Sequence, residues 1–553
     1  MRAVHRLFTL LLVPLTVSLS ACPTGPRTRG TQLPGSSTGT AKPAVQVPSE
    51  YRFPLPDDPM TLDPAHITDT VSDSVARRIF SQLVRFAPDS TVIPDLAEKW
   101  EISPDGRVYT FHLRQGVRFH DGASLTAQDV VYTFRRLADR TTKAERVNLL
   151  YYIAGANAFH EGKSPDFPGV QAVDDHTVRI TLSAPYAPFL DVLCMTSFGV
   201  VPKGEVDRDP AGFGDHPVGS GPYVFDSWLK DDRVVLKANR AYFKELPRVQ
   251  TVIFRVIKDE KTRFENFKSG ALEHCDLPPS QIQEVRRDSR LNALVQGEPA
   301  MDMYAYGFNC EQPPFKDNTA LRRALNFAVD KDNICKNIWG GLVTTQKTYV
   351  PEGMFYFWKD APGYPYDLEK AKQLLDEAGY PGGAGLPELV LNIDLQPTNR
   401  LVAEAVQEDL RRIGVKVRLE TTAWGPFLEK VYGGEVLFFQ NTWLADYPDP
   451  DNWLYQLLHS SNFGDRGNIA RWRNSEFDQL VTEAQVSLDA THRAELYRRA
   501  EDIAYKEAPW LLLFWKNSST LVQPYVKGLV ITRMDRTPQL NNAPLEQVHF
   551  EAQ

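Results

Sequence analysis

The strongest constraint on the fold is a helix–glycine–strand rhythm in the C-terminal half. Val402, Ala405, Val406, Leu410 and Ile413 lie on one helical face. This run ends at Gly414 and passes straight into Val415-Lys416-Val417-Arg418-Leu419, which alternates like a strand. Asn318 opens an earlier helix with Leu321, Ala324, Leu325, Ala328 and Val329 on one side. Asp367 opens another with Leu368, Ala371, Leu374, Leu375 and Ala378, stopped by Gly379 and Pro381. Helices and strands alternating in this way require a sheet covered by helices, an α/β architecture. Glu435–Gln440 reads as a further strand, two helices follow around Phe477–Leu488 and Thr491–Lys506, and Trp510–Trp515 is an apolar strand.

The first half mixes the two periods. Tyr109, Phe111 and Leu113 alternate between the turn signals Asp105-Gly106 and Asp121-Gly122, which predicts a half-buried strand pair over 108–119. Thr126 then caps a helix with Val130, Val131, Phe134 and Leu137 on one face, and Val178–Leu182 alternates again.

Residues 1–22 have a different character. Arg2 and Arg6 precede a mostly apolar run, 7–19, which has the length of a signal-peptide core and falls short of the ~20 residues of a membrane-spanning helix. Ser20-Ala21-Cys22 resembles the lipobox of bacterial lipoproteins, which implies cleavage before Cys22 and a diacylglycerol on its thiol. No aspartate follows the cysteine in Cys22-Pro23-Thr24, so which membrane holds the anchor stays open. The stretch 23–50 is dense in Pro, Gly, Ser and Thr and reads as a flexible tether of roughly 30 Å average reach. The expectation is an exported, lipid-anchored protein facing the periplasm or cell envelope.

Removal of 1–21 leaves 532 residues, which calls for several lobes. Acids outnumber Lys plus Arg by 70 to 62, a net charge of −8 that becomes −10 without Arg2 and Arg6. A chain this acidic, with no basic block, is a poor nucleic-acid binder. Cys194, Cys275, Cys310 and Cys335 are too widely spaced for a metal motif, and both disulfides and buried thiols remain open. Gly219-Ser220-Gly221 lacks the spacing of a nucleophile elbow, and Pro222 opposes the helix that should follow one. No HExxH, Walker A or dinucleotide motif appears. Neither an enzyme nor a cofactor is expected.

Five stretches, in order, resemble the family 5 extracellular solute-binding proteins, the peptide- and nickel-binding components of ABC importers. They are Thr61-Leu62-Asp63-Pro64; the run Ile93–Gly106 leading into Tyr109–Arg114 and Val117–Gly122; Pro217–Tyr223; Leu321–Asp330; and Asp446–Asn452. The resemblance implies a three-lobed class II periplasmic-binding-protein fold, two main α/β lobes joined by a hinge plus an extra lobe. Lobe I would comprise 51–80, 214–308 and 516–553, lobe II 81–213, and lobe III 309–515. A solute would be enclosed between lobes I and III by hinge closure. The implied partners are a peptide-like solute and a permease with its cytoplasmic ATPase. A monomer is expected, and a binding module for another solute or for sensing is the alternative.

The same resemblance nominates ligand-binding residues. Asp446, in Trp443-Leu444-Ala445-Asp446-Tyr447, matches the aspartate that peptide binders set against the ligand's α-ammonium. A buried ammonium needs such a partner. Trp443 and Trp424 match aromatic positions whose faces accept varied side chains. Thr68, Asp69 and Thr70 follow the opening segment where peptide binders pair backbone with the ligand, and Tyr151 and Tyr152 are further candidates. Asp449 and Asp451 read as loop structure. Where relatives place a carboxylate-binding Arg or His, this chain has Ile393, Thr398 and Gln440, and Arg400 nearby reads as solvated. That departure points to longer or carboxylate-modified peptides, or to another cationic solute. No His cluster supports nickel.

Overall fold

The computed structural model describes residues 49–551. The leading segment, Cys22 and 23–48 of the tether lie outside the described residues. No helix among the described residues is long and apolar enough to cross a membrane.

The helix–glycine–strand units build one large sheet. Six strands lie in the order Val343–Thr345, Trp510–Asn517, Pro299–Phe308, Phe438–Leu444, Leu389–Ile393 and Val417–Thr421. The last three are mutually parallel, as crossover helices demand, and Pro299–Phe308 runs antiparallel to both neighbours. Helix Pro397–Arg411 is the crossover that ends at Gly414, where φ is +83°. Helices Thr319–Ala328 and Leu368–Glu377 begin where expected, with the side chains of Asn318 and Asp367 accepting from the first free backbone N–H groups. The strand predicted at 435–440 lies further on, at Phe438–Leu444. This sheet and its helices form the largest core, which includes Tyr304, Leu391, Trp453 and Phe514.

A four-stranded antiparallel sheet, Ala97–Ile102, Val108–Leu113, Thr177–Thr181 and Val170–Asp174, anchors a second core. The alternation at Tyr109, Phe111 and Leu113 buries all three, and Thr126 and Asp129 form a capping box at helix Ala127–Ala138. The strand ends at Leu113, however, and only a bridge from Arg118 to Ser124 continues the pair. A third core covers the sheet Tyr51–Leu55, Thr251–Val256, Arg233–Ala238 and Tyr223–Leu229.

The cores do not follow chain order. Ala65 packs with the second core and Met534 with the first. At Pro217–Tyr223 the backbones of two cores meet, since Gly221 N donates to Ile79 O at 2.8 Å and His120 N donates to Gly219 O at 2.8 Å. A Cβ on Gly219 would sit 2.1 Å from Ile79 O, which excludes any side chain there. Ser220 between them is fully buried, and its hydroxyl has no hydrogen-bond partner. No base lies within hydrogen-bonding reach of that hydroxyl among the described residues. The four cysteines in the described residues are free, three of them buried.

Two chain crossings tie the large sheet to the small sheet of His274–Asp276, Thr520–Val522 and Val295–Gln296. One leads from Val295–Gln296 into Pro299–Phe308, the other from Trp510–Asn517 into Thr520–Val522. They run side by side, pairing as Gly307 with Trp510, Asp302 with Lys516 and Val295 with Leu521. An irregularity in register falls between Pro299 and Asp302. A few extended residues thus carry the whole covalent connection of the large sheet to the small one, the construction of a hinge.

Candidate functional site

The C-terminal ends of the parallel strands and the N-terminal end of Pro299–Phe308 meet at one edge of the large sheet. In open α/β sheets ligands bind at that edge. Trp443 pairs with Met303, and Asp446 lies two residues past the strand. Trp424 begins helix Trp424–Gly433, just beyond the end of Val417–Thr421, and so belongs to the same edge.

Asn452, fully buried, fixes two of the candidates. Its Oδ1 accepts from Trp443 Nε1 at 2.9 Å and from the backbone N–H of Asp446 at 3.1 Å. On the Asp446 carboxylate, Oδ2 accepts from Arg146 Nη1 at 3.1 Å and faces Asn452 Nδ2 at 3.5 Å. Its Oδ1 accepts no hydrogen bond among the described residues, and 18 % of the side chain is open to solvent. One oxygen is therefore held and the other is free. Trp424 is 50 % exposed and stacks on Phe427 at 5.7 Å. Half of a large apolar ring is left open at the sheet edge, which a core role would not allow.

The stretch at Thr68 takes a different form. Asp69 is the N-cap of helix Thr70–Ile79, its carboxylate accepting from Val71 N at 3.0 Å and Ser72 N at 2.8 Å. Thr70 is already helical and its carbonyl accepts from Asn541 Nδ2 at 2.7 Å. Extended backbone runs through Asp69, with φ −113° and ψ 154°, and ends at Thr70, and of the three residues only Thr68 is exposed. The helix claims the rest because Asp satisfies its free N–H groups.

Tyr152 stands apart from Asp446. It stacks on Tyr186 with centroids 3.7 Å apart, and its hydroxyl accepts from Gln485 Nε2 at 3.0 Å. Gln485 also donates to Asp451, whose Oδ2 accepts from Tyr447 and Tyr186 at 2.7 and 3.1 Å. Asp449 pairs with Arg493 at 2.9 and 3.0 Å. This buried network joins the first and second cores and gives Asp449 and Asp451 structural roles. Tyr151 is partly exposed. Arg400 pairs with Glu404 on an exposed helix face, as its position predicts.

The positions without a basic residue are accounted for. Ile393 is fully buried, and Gln440 donates to Asp394 Oδ2 at 3.1 Å. Thr398 instead lines a cavity of about 240 Å³ at the same sheet edge, with Asn399, Lys516 and Arg536. Sequence reasoning missed Arg146, Asn452 and Lys516. Arg146 and Lys516 belong to segments remote from Asp446 in the chain, and no local pattern marks them, whereas Asn452 closes the stretch Asp446–Asn452 without being singled out there.

Comparison with known proteins is decisive about the family. Residues 91–465 match the family model described as bacterial extracellular solute-binding proteins, family 5 middle. The chain belongs to this family. Among curated relatives of this family 5 solute-binding protein is the heme-binding protein A of Haemophilus influenzae, 33 % identical over 94 % of the chain and 96 % of the relative. The dipeptide-binding protein of Escherichia coli is 31 % identical over 87 % of the chain and 90 % of the relative. In structure, the periplasmic binding protein DppA of Helicobacter pylori in complex with the peptide STSA has a TM-score of 0.79 at 29 % identity, covering 91 % of this chain and 98 % of that one. The fold is the three-lobed class II periplasmic-binding-protein fold, and members of the family bind solutes without transforming them.

Proposed function

We propose that this family 5 protein is the substrate-binding component of an ABC importer and captures peptides by their free α-ammonium. Asp446 carries the reading. Its Oδ2 is already occupied by Arg146, while Oδ1 is free beside an exposed aromatic edge, so an incoming ammonium finds one unspent carboxylate oxygen. Trp443 and Trp424 offer apolar faces to side chains of varied shape. Relatives named for dipeptide and oligopeptide binding support the ligand class.

In this reading lobes of about 51–80 plus 214–308 plus 516–553, 81–213, and 309–515 close on the peptide through the paired crossings. Cys22 carries a lipid that confines the protein near a membrane, the monomer hands its cargo to a permease, and the stretch 23–50 supplies the slack. Mass spectrometry of ligand retained through purification identifies the cargo. Calorimetry with peptides then compares the protein with Asp446→Ala. A loss of tenfold or more is expected, since a charge-assisted hydrogen bond contributes ~1.5–3 kcal/mol. Equal affinity for the best ligand would overturn the ammonium assignment.

A further inference from the structure

The cavity of about 240 Å³ lies between the functional edge of the large sheet and the segments Leu277–Pro279 and Asp535–Thr537. Its charged groups differ in how far they are already satisfied. Asp302 accepts both of its bonds from Arg536, at 2.9 and 2.8 Å. Asp276 is held by Arg263 at 2.7 and 2.6 Å. Asp535 takes the backbone N–H groups of Thr532 and Asn542 at 2.7 and 2.5 Å.

Lys516 is different. Its nearest carboxylate oxygen is Asp302 Oδ2 at 3.8 Å, its ammonium lies 5.6 Å from the Tyr304 ring centroid, and it makes no hydrogen bond among the described residues. A quarter of its side chain is open. Asp302, its nearest counter-charge, is already neutralised by Arg536. Burial lowers the Lys516 pKa, the sign of a cation whose lost hydration is incompletely replaced.

A second feature points the same way. Gln396, Thr398 and Asn399, at the start of the fifteen-residue helix Pro397–Arg411, line the cavity. The N-cap residue Gln396 makes no side-chain cap, while the Asp394 carboxylate accepts from its backbone N–H at 3.0 Å and from Asn399 Nδ2 at 2.8 Å. The helix dipole adds positive potential to the cavity that Lys516 lines, offset in part by the Asp394 carboxylate, which also acts on Lys516. Glu260 on the opposite wall forms no ion pair among the described residues, but burial and the Asp276 carboxylate push its carboxyl up, toward the neutral form.

Resting on the peptide-binding reading, we infer that Lys516 receives the carboxylate of the bound peptide, in place of the Arg or His that the chain lacks at Ile393, Thr398 and Gln440. The register sets the ligand's length. Lys516 is paired with Asp302 and Asp302 with Leu444, so Lys516 and Leu444 lie two strand spacings apart, and Asp446 is two residues further on. With ~4.8 Å per spacing and ~3.3 Å per residue, the backbones of Asp446 and Lys516 are about 12 Å apart. An extended peptide of three to four residues spans that distance at ~3.4 Å each. The site therefore selects tri- and tetrapeptides with free C-termini.

The test is calorimetry on the full chain with trialanine and tetra-alanine, each as free acid and as C-terminal amide. The free acids should bind at least tenfold more tightly than the amides. Lys516→Met should abolish that preference while leaving amide affinity within about twofold, and Lys516→Arg should retain it. Thermal unfolding of both variants confirms that they fold. Equal affinity of the wild-type chain for acid and amide, or a preference that survives Lys516→Met, overturns the Lys516 assignment and leaves peptide binding intact. Binding of neither form overturns the peptide reading and this inference with it.

Discussion

Arg146 Nη1 lies 3.1 Å from Asp446 Oδ2, joining positions 300 residues apart in the chain at the carboxylate proposed to meet the ligand. Both side chains keep about a fifth of their surface in solvent, 22 % for Arg146 and 18 % for Asp446. A pair so placed contributes ~0.2–1 kcal/mol. Arg146 and an incoming ammonium compete for the negative charge of one carboxylate. Arg146→Met should therefore tighten peptide binding by up to about fivefold in low salt, an advantage that shrinks as salt screens Asp446. Calorimetry at two ionic strengths reads both effects. Weaker binding by the variant would mean that Arg146 itself contacts the ligand.

Asn452 touches no proposed ligand atom, yet one oxygen orients both the Trp443 indole and the Asp446 backbone. Asn452→Ala removes the acceptor of both donors and leaves a partly buried indole N–H unpaired, at a cost of up to ~1–3 kcal/mol. The expected outcome is a lower unfolding temperature together with at least fivefold weaker binding of peptides with a free ammonium. N-acetylated peptides, which cannot use Asp446, should lose much less.

Most of the architecture was legible in the sequence because its signals are local. Asn318, Asp367 and Thr126 cap the helices they announce, Gly414 ends the crossover, and Tyr109, Phe111 and Leu113 point inward at period two. Trp443 and Asp446, nominated from the sequence, lie at and just beyond the end of a strand of the large sheet. Asp69 and Thr70, nominated as backbone-pairing residues, lie at the cap and first turn of a helix, and Tyr152 stacks inside a buried network. Lys516 gave no signal. Its importance comes from strand register and from Asp302 already being taken by Arg536, neither of which periodicity reveals.

The buried network between the first and second cores predicts a pH dependence of stability. Beside that network, on the helix Phe189–Leu193, burial reinforced by the Asp449 carboxylate pushes Asp191 up to about 7. In the unfolded chain an Asp releases its proton near 3.9. Between these values the folded state holds a proton that the unfolded state has lost, so this group lowers stability as pH rises from ~4 to ~7. Asp191→Asn removes that dependence. Scanning calorimetry from pH 4.5 to 8 should show a higher unfolding temperature for the variant at pH 8 and a difference from wild type that closes toward pH 4.5. A constant difference across the range would place the Asp191 proton elsewhere.

Gly297 sits where the two crossings leave the large sheet. A Cβ there would lie 2.5 Å from Ser518 O and 3.1 Å from its carbonyl carbon, both backbone atoms that cannot rotate away. Gly297→Ala must therefore push the strands apart at the paired crossings proposed as the hinge. Neither Gly297 nor Ser518 belongs to a hydrophobic core, so the variant should fold, with an unfolding temperature lowered by a few degrees. Closure is what should suffer. Small-angle scattering of the wild type is expected to show a smaller radius of gyration with peptide than without, and Gly297→Ala should reduce that change and weaken binding. If the variant closes as fully as wild type, the hinge lies elsewhere than in the paired crossings.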